Sequence, residues 1–134
     1  MERNILGIFE TIDFPDFGID SIKAKIDTGA YSGAFHCTKI KEVETPTGKE
    51  LHFSPFDNPD VDIKAKDYSS KSVKSSNGIK QERYFIITKI NIAGKNYSTM
   101  LSLADRTTMR WPVIIGRKFL STYNFLVDVN KHLV

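Results

Sequence analysis

Ile22-Lys23-Ala24-Lys25-Ile26-Asp27-Thr28-Gly29-Ala30 is the stretch whose reading decides the fold. Ile22, Ala24 and Ile26 alternate with Lys23 and Lys25, the period of a strand with one buried face. The strand runs straight into Asp27-Thr28-Gly29, where glycine permits a tight turn. A carboxylate is thereby delivered to the end of a sheet. Thr28 adds a hydroxyl that can fix the loop or reach a second copy. Asp-Thr-Gly is also an ordinary turn signal, so the three residues alone leave catalysis and a structural turn both open.

Downstream, period-two alternation recurs while helical periodicity is almost absent. Val61, Ile63 and Ala65 alternate with charged residues, and Tyr84 to Ile92 forms an extended run. Ala93-Gly94-Lys95-Asn96 turns the chain into the alternating Tyr97, Thr99, Leu101 and Leu103. Prolines predict loops at 45–48 and 54–59. The serine- and lysine-rich stretch 69–78 closes on the turn dipeptide Asn77-Gly78. Val113-Ile114-Ile115 is an apolar strand that stops at Gly116. Arg117 to Tyr123 then makes about two helical turns with Phe119, Leu120 and Tyr123 on one face, before a last strand at 125–129. Short strands at this spacing predict an all-β barrel with one short C-terminal helix, a single domain over residues 1–134.

With 40% hydrophobic and 26% charged residues, the composition is that of a globular domain. No apolar run approaches the roughly 20 residues of a membrane helix. Glu10 and Asp13 interrupt any signal-peptide core, so no membrane is expected and the expected location is cytoplasmic. The single Cys37 excludes an internal disulfide and fits a reducing compartment. A net charge of +3 is too mild to argue for nucleic acid, which is not expected as a partner. Six basic residues nevertheless fall between Asp62 and Arg83 against three acidic ones, Asp62, Asp67 and Glu82. That segment reads either as a solvated loop or as a basic wall facing an acidic partner.

The order of these motifs resembles that of retropepsins: strand, Asp-Thr-Gly-Ala turn, flap hairpin, then an apolar strand, glycine and helix. A bacterial group of retropepsin-like proteins often labelled "ATP-dependent zinc protease" is the nearer resemblance. Its members are similar in Lys25 to Ala30, Ser32, Ala34, Phe35 and His36, and in Leu103 to Arg106, Met109 and Pro112 to Arg117. Gly7 to Glu10, Pro15 to Gly18 and Val127-Asp128 fit as well, and residues 44–80 match least.

The resemblance implies a single acid-protease lobe that acts as a homodimer, with the active site on the twofold axis. The chemistry requires it, because two carboxylates must share one proton and this chain has one Asp-Thr-Gly. It implies Asp27, Thr28 and Gly29 as catalytic residues. Ala30, Tyr31, Ser32, Arg106, Ile115 and Arg117 would meet the substrate. In viral retropepsins an acidic residue just after the turn pairs with the arginine after the glycine. Tyr31 and Ser32 stand there in this chain, so Arg117 needs another partner. The bacterial group is associated with ligases that add glutamates to protein tails, which makes an acidic peptide the expected substrate. The competing reading is a catalytically silent lobe that binds peptides or dimerises.

Candidate zinc ligands are His36, Cys37, His52 and His132. Adjacent strand residues point to opposite faces, so His36 and Cys37 cannot share an ion. No His-Glu-x-x-His or paired-cysteine spacing occurs, and no Gly-rich phosphate loop, so neither metal nor cofactor is expected. His36 and Cys37 are expected to be packed strand residues, Trp111 a packing anchor, and Asp128 a structural cap.

Overall fold

The computed structural model describes residues 4–56, 58–74, 78–104 and 111–131, with backbone alone at 73 and 74. Strands dominate. In chain order they are β1 (Ile5–Leu6), β2 (Phe9–Phe14), β3 (Ile19–Asp27), β4 (Gly33–Thr45), β5 (Gly48–Pro55), β6 (Ile63–Ala65), β7 (Tyr68–Lys74), β8 (Lys80–Ile92), β9 (Lys95–Ala104), β10 (Val113–Gly116) and β11 (Leu126–Val127). A 3-10 turn, Pro15–Phe17, follows β2, and one helix, α1 (Arg117–Thr122), follows β10.

The main sheet runs β10-β3-β2-β8-β9-β4 and closes because β10 also pairs with β4. Closure removes the sheet edges that would otherwise expose unpaired backbone. This is the closed barrel that the strand spacing predicts, of the retropepsin-like kind that the resemblance implies, with one short α-helix among the described residues. Alternation places Ile12, Ala24, Ile26, Ile86, Ile90, Leu101 and Leu103 inside. Phe14, Phe35 and Phe53 fill one end of the core, with Phe14 and Phe35 edge to face at 5.1 Å.

A six-residue helix cannot hold itself together in water. Instead, α1 buries Phe119 and Leu120, and each contributes roughly 1.5–3 kcal/mol. Phe119 stacks on Phe125 at 5.6 Å, and the Tyr123 hydroxyl donates to the Ser98 carbonyl at 2.8 Å, fastening the helix to β9.

Four expectations need correction. Ser54-Pro55 is not loop but the end of β5, where a terminal proline leaves the ladder donors before it intact. The serine-rich stretch is not loop either. Tyr68 to Lys74 is a strand paired with β8 from Ile86 back to Lys80, because β8 and β9 offer a long platform that a polar strand can join through its backbone. Val61 lies outside β6, which is only Ile63–Ala65. The last strand shrinks to Leu126–Val127, which pairs in parallel with Ile5–Leu6 and has no longer partner to follow. Asn77 of the Asn77-Gly78 turn lies outside the described residues.

Candidate active site

Asp27 ends β3 opposite Gly116 of β10, in parallel register. Beyond that pair the two chains cross-tie. Arg117 N–H donates to the Ala30 carbonyl at 2.8 Å, and Lys118 N–H to the Tyr31 carbonyl at 3.0 Å. The first amides of a helix have no partner within it. Gly116, at the position before α1, has no side chain to cap them, and the residues leaving the Asp27 turn do so instead. A Cβ at Gly116 would lie 2.7 Å from the Tyr31 carbonyl oxygen and 2.7 Å from the Ser32 carbonyl carbon. Glycine is required there for close approach of two backbones.

The carboxylate itself is held in an aspartate turn. Gly29 N–H donates to Asp27 Oδ1 at 2.9 Å, and Ala30 N–H to the Asp27 carbonyl at 3.2 Å. Asp27 is half-buried, and Thr28 and Gly29 are exposed beside it. The carboxylate thus has one backbone donor and stays partly open to solvent. A second carboxylate brought to the same place could share its proton.

Arg117 is the tie that Tyr31 alters. Its Nη1 donates to the Gly29 carbonyl at 3.3 Å, and its guanidinium carbon sits 5.4 Å from the centroid of the Tyr31 ring. Lys118 Nζ lies 5.9 Å from the same ring. An aromatic face thus takes the place of an acidic partner.

Of the other expected site residues, Ala30 is half-buried, and Tyr31 and Ser32 are exposed. Ile115, expected to meet the substrate, is fully buried in the chain and pairs with Ile26, one residue before Asp27. Arg106 lies outside the described residues, with Asp105 and Met109. Ser102 Oγ donates to the Gly33 carbonyl at 3.2 Å and holds the segment that leaves the turn.

Beside that segment lies a cavity of about 550 Å³, bounded by Tyr31 and Ser32, by β7, by the outer face of β8 and β9, and by α1. Lys71 and Lys118 line it, and no carboxylate does. Lys71 is in the basic stretch singled out from sequence, while no motif marks Lys118, Phe85 or Met100. These three come together only through the packing of α1 beside the β8–β9 hairpin.

Among the described residues no group of three or more His, Cys, Asp or Glu could hold a metal ion. His36 and Cys37 are both buried, so both faces of β4 are covered at that point. His52 instead meets Glu50 at 3.1 Å and lies 3.6 Å from Asp62. His132 lies outside the described residues. Trp111 packs on Phe9 at 4.4 Å, with Lys23 Nζ 4.9 Å from its ring, and Asp128 caps Asn130 N–H at 2.9 Å. No helix among the described residues is long and apolar enough to cross a membrane.

A crystal structure of a Legionella pneumophila protein of unknown function has the same fold, with a TM-score of 0.78 and 24% identity, over 99% of this chain and 98% of that one. A protein of Shewanella pealeana named probable alpha-L-glutamate ligase is 32% identical over 134 residues, and one of that name from Desulfotalea psychrophila 28% over 121. These alignments take in 95% and 87% of this chain, which spans only 29% and 26% of the length of those relatives. A model of the RimB-like family, described as retropepsin-like aspartic endopeptidase RimB, matches residues 5–134, and with that match, which takes in the Asp27 turn and the Gly116 junction, the chain belongs to that family.

Proposed function

We propose that the chain is an aspartic endopeptidase, active as a homodimer, that hydrolyses acidic or glutamate-rich peptides. The observation that carries the proposal is the fixed Asp27 turn, half-buried and tied by two backbone bonds to the start of α1. Positioning of that kind is what general acid–base chemistry demands. Asp27 of one chain and Asp27 of its partner share a proton across the twofold axis. The ionised carboxylate takes a proton from water as that water attacks the peptide carbonyl. The protonated one hydrogen-bonds the carbonyl oxygen, and the nitrogen is protonated as the C–N bond breaks. Gly29 N–H keeps the carboxylate oriented, and Thr28 braces the pair.

Dimerisation uses the β1–β11 sheet. Ile5 and Leu126 are each about half exposed there, and the chain just beyond β1 binds β3 through Ile26 N–H and the Ile8 carbonyl at 2.6 Å. Two features support an acidic peptide. The cavity beside Tyr31 carries lysines and no carboxylate, and relatives of the chain are named for glutamate ligation. The test is cleavage of a peptide library by the wild type and by Asp27→Asn. The wild type should cut and the variant should not. Equal cleavage by both sinks the aspartic mechanism, and binding without cleavage by either favours a silent peptide-binding lobe.

A further inference from the structure

We infer that the 550 Å³ cavity between Tyr31, β7 and α1 is a side-chain subsite for a glutamate of the peptide, with Lys71 and Lys118 as its specificity-determining residues. This rests on the reading of the cleft as a peptide site and assigns its selectivity to residues outside the Asp27 turn.

The cavity has the size of a ligand pocket and an apolar floor, to which Phe85, Met100 and Phe119 contribute. That floor suits the methylenes of a glutamate stem. Two amines line the same space. Lys71 comes from β7, and Lys118 from the first turn of α1, whose backbone N–H is already held by the Tyr31 carbonyl. Ser69 and Ser70 add hydroxyls that can donate to a carboxylate, while the Thr122 hydroxyl already donates to the Lys118 carbonyl at 2.7 Å. With no Asp or Glu in the lining, a lysine or arginine of the peptide would meet only like charge and neutral groups. A carboxylate would gain charge-assisted hydrogen bonds. The site flanks the reacting centre. Tyr31 and Ser32 line it, four and five residues beyond Asp27, and Tyr31 carries Arg117 and Lys118 over its ring. Arg117 therefore adds positive potential at the mouth.

Binding separates this inference from catalysis. The Asp27→Asn protein is titrated with two fluorescein-labelled decapeptides, one of alternating glutamate and serine, the other of glutamine and serine. The glutamate peptide should bind about tenfold more tightly at low salt, an advantage that shrinks as salt is raised. In the Lys71→Gln/Lys118→Gln double variant the ratio should fall to within about twofold of unity. Lys118→Glu should turn the preference toward an alternating lysine–serine peptide. An unchanged ratio in the double variant, or no preference in the parent, overturns the subsite. Cleavage by the wild type is followed in parallel. Cleavage without lysine dependence sinks the subsite alone, whereas lysine-dependent binding with no cleavage of any peptide sinks the peptidase reading and leaves the subsite standing.

Discussion

The guanidinium of Arg117 lies over the ring of Tyr31, 5.4 Å from its centroid, while its Nη1 reaches the Gly29 carbonyl at 3.3 Å. One side chain therefore ties the start of α1 to two residues, Gly29 and Tyr31, that follow Asp27. Tyr31 is more than half exposed, so the stacking is worth about 0.5–1 kcal/mol. Tyr31→Ala should lower unfolding stability by that amount, read as a small fall in urea midpoint with no change of slope. Tyr31→Asp should hold stability near the wild type, because an ion pair with Arg117 replaces the ring contact. A loss of more than about 2 kcal/mol in the alanine variant would mean that the ring packs against more than the two cations.

Gly116 is a steric case rather than a conformational one. Its φ of −90° and ψ of 174° suit any residue. The added methyl would instead meet three backbone atoms of Ala30, Tyr31 and Ser32 within 3 Å. Backbone cannot rotate aside as a side chain does. Gly116→Ala should cost at least about 2 kcal/mol and weaken the ties between the turn and α1. Hydrogen exchange at the Arg117 and Lys118 amides should quicken more than at amides across the barrel.

Glu42 fastens the base of the β7–β8 hairpin. One carboxylate oxygen accepts from Tyr68 at 2.7 Å and the other from Tyr84 at 3.3 Å. The hydrogen bond to Glu42 pushes Tyr68 up from 10.0 to about 12, and burial raises Tyr84. A raised tyrosine favours folding while it is protonated. Its contribution is complete below pH 10 and is lost as pH climbs from 10 through about 12. Ultraviolet titration should show at least one tyrosinate forming late in the wild type. In Glu42→Gln that ionisation should move back toward 10, and an unchanged titration would break the link to Glu42.

Much of this was legible in the chain, and what was not has a physical cause. The alternation before Asp27 and the apolar Val113 to Ile115 were readable because each strand has a buried face whose period sequence records. The β7 strand was not, since its serines and lysines join β8 through the backbone and polar contacts such as Ser72 Oγ to Glu82 at 2.9 Å, which leave no apolar period. Ile115 looked like a cleft residue because it adjoins Gly116, yet its place opposite Ile26 turns it inward. The cavity was hidden for a different reason. Lys71, Phe85, Met100 and Lys118 are far apart in sequence, and only barrel closure and the docking of α1 bring them together. Arg117's partner was open because stacking on an aromatic ring has no spacing rule.

Subunit mixing tests the half-site. If each dimer needs two Asp27 carboxylates, an Asp27→Asn chain inactivates any wild-type chain it pairs with. After equal amounts of the two are mixed and allowed to exchange, random pairing leaves about one quarter of the dimers fully wild type. Peptidase activity should then be about a quarter of that of the same total amount of wild-type chain. A chain that worked alone would retain half, because its neighbour would not matter. The same requirement makes specific activity fall on dilution, as dimers separate into inert halves. An activity of one half, independent of concentration, would show that Asp27 works without a second copy of itself.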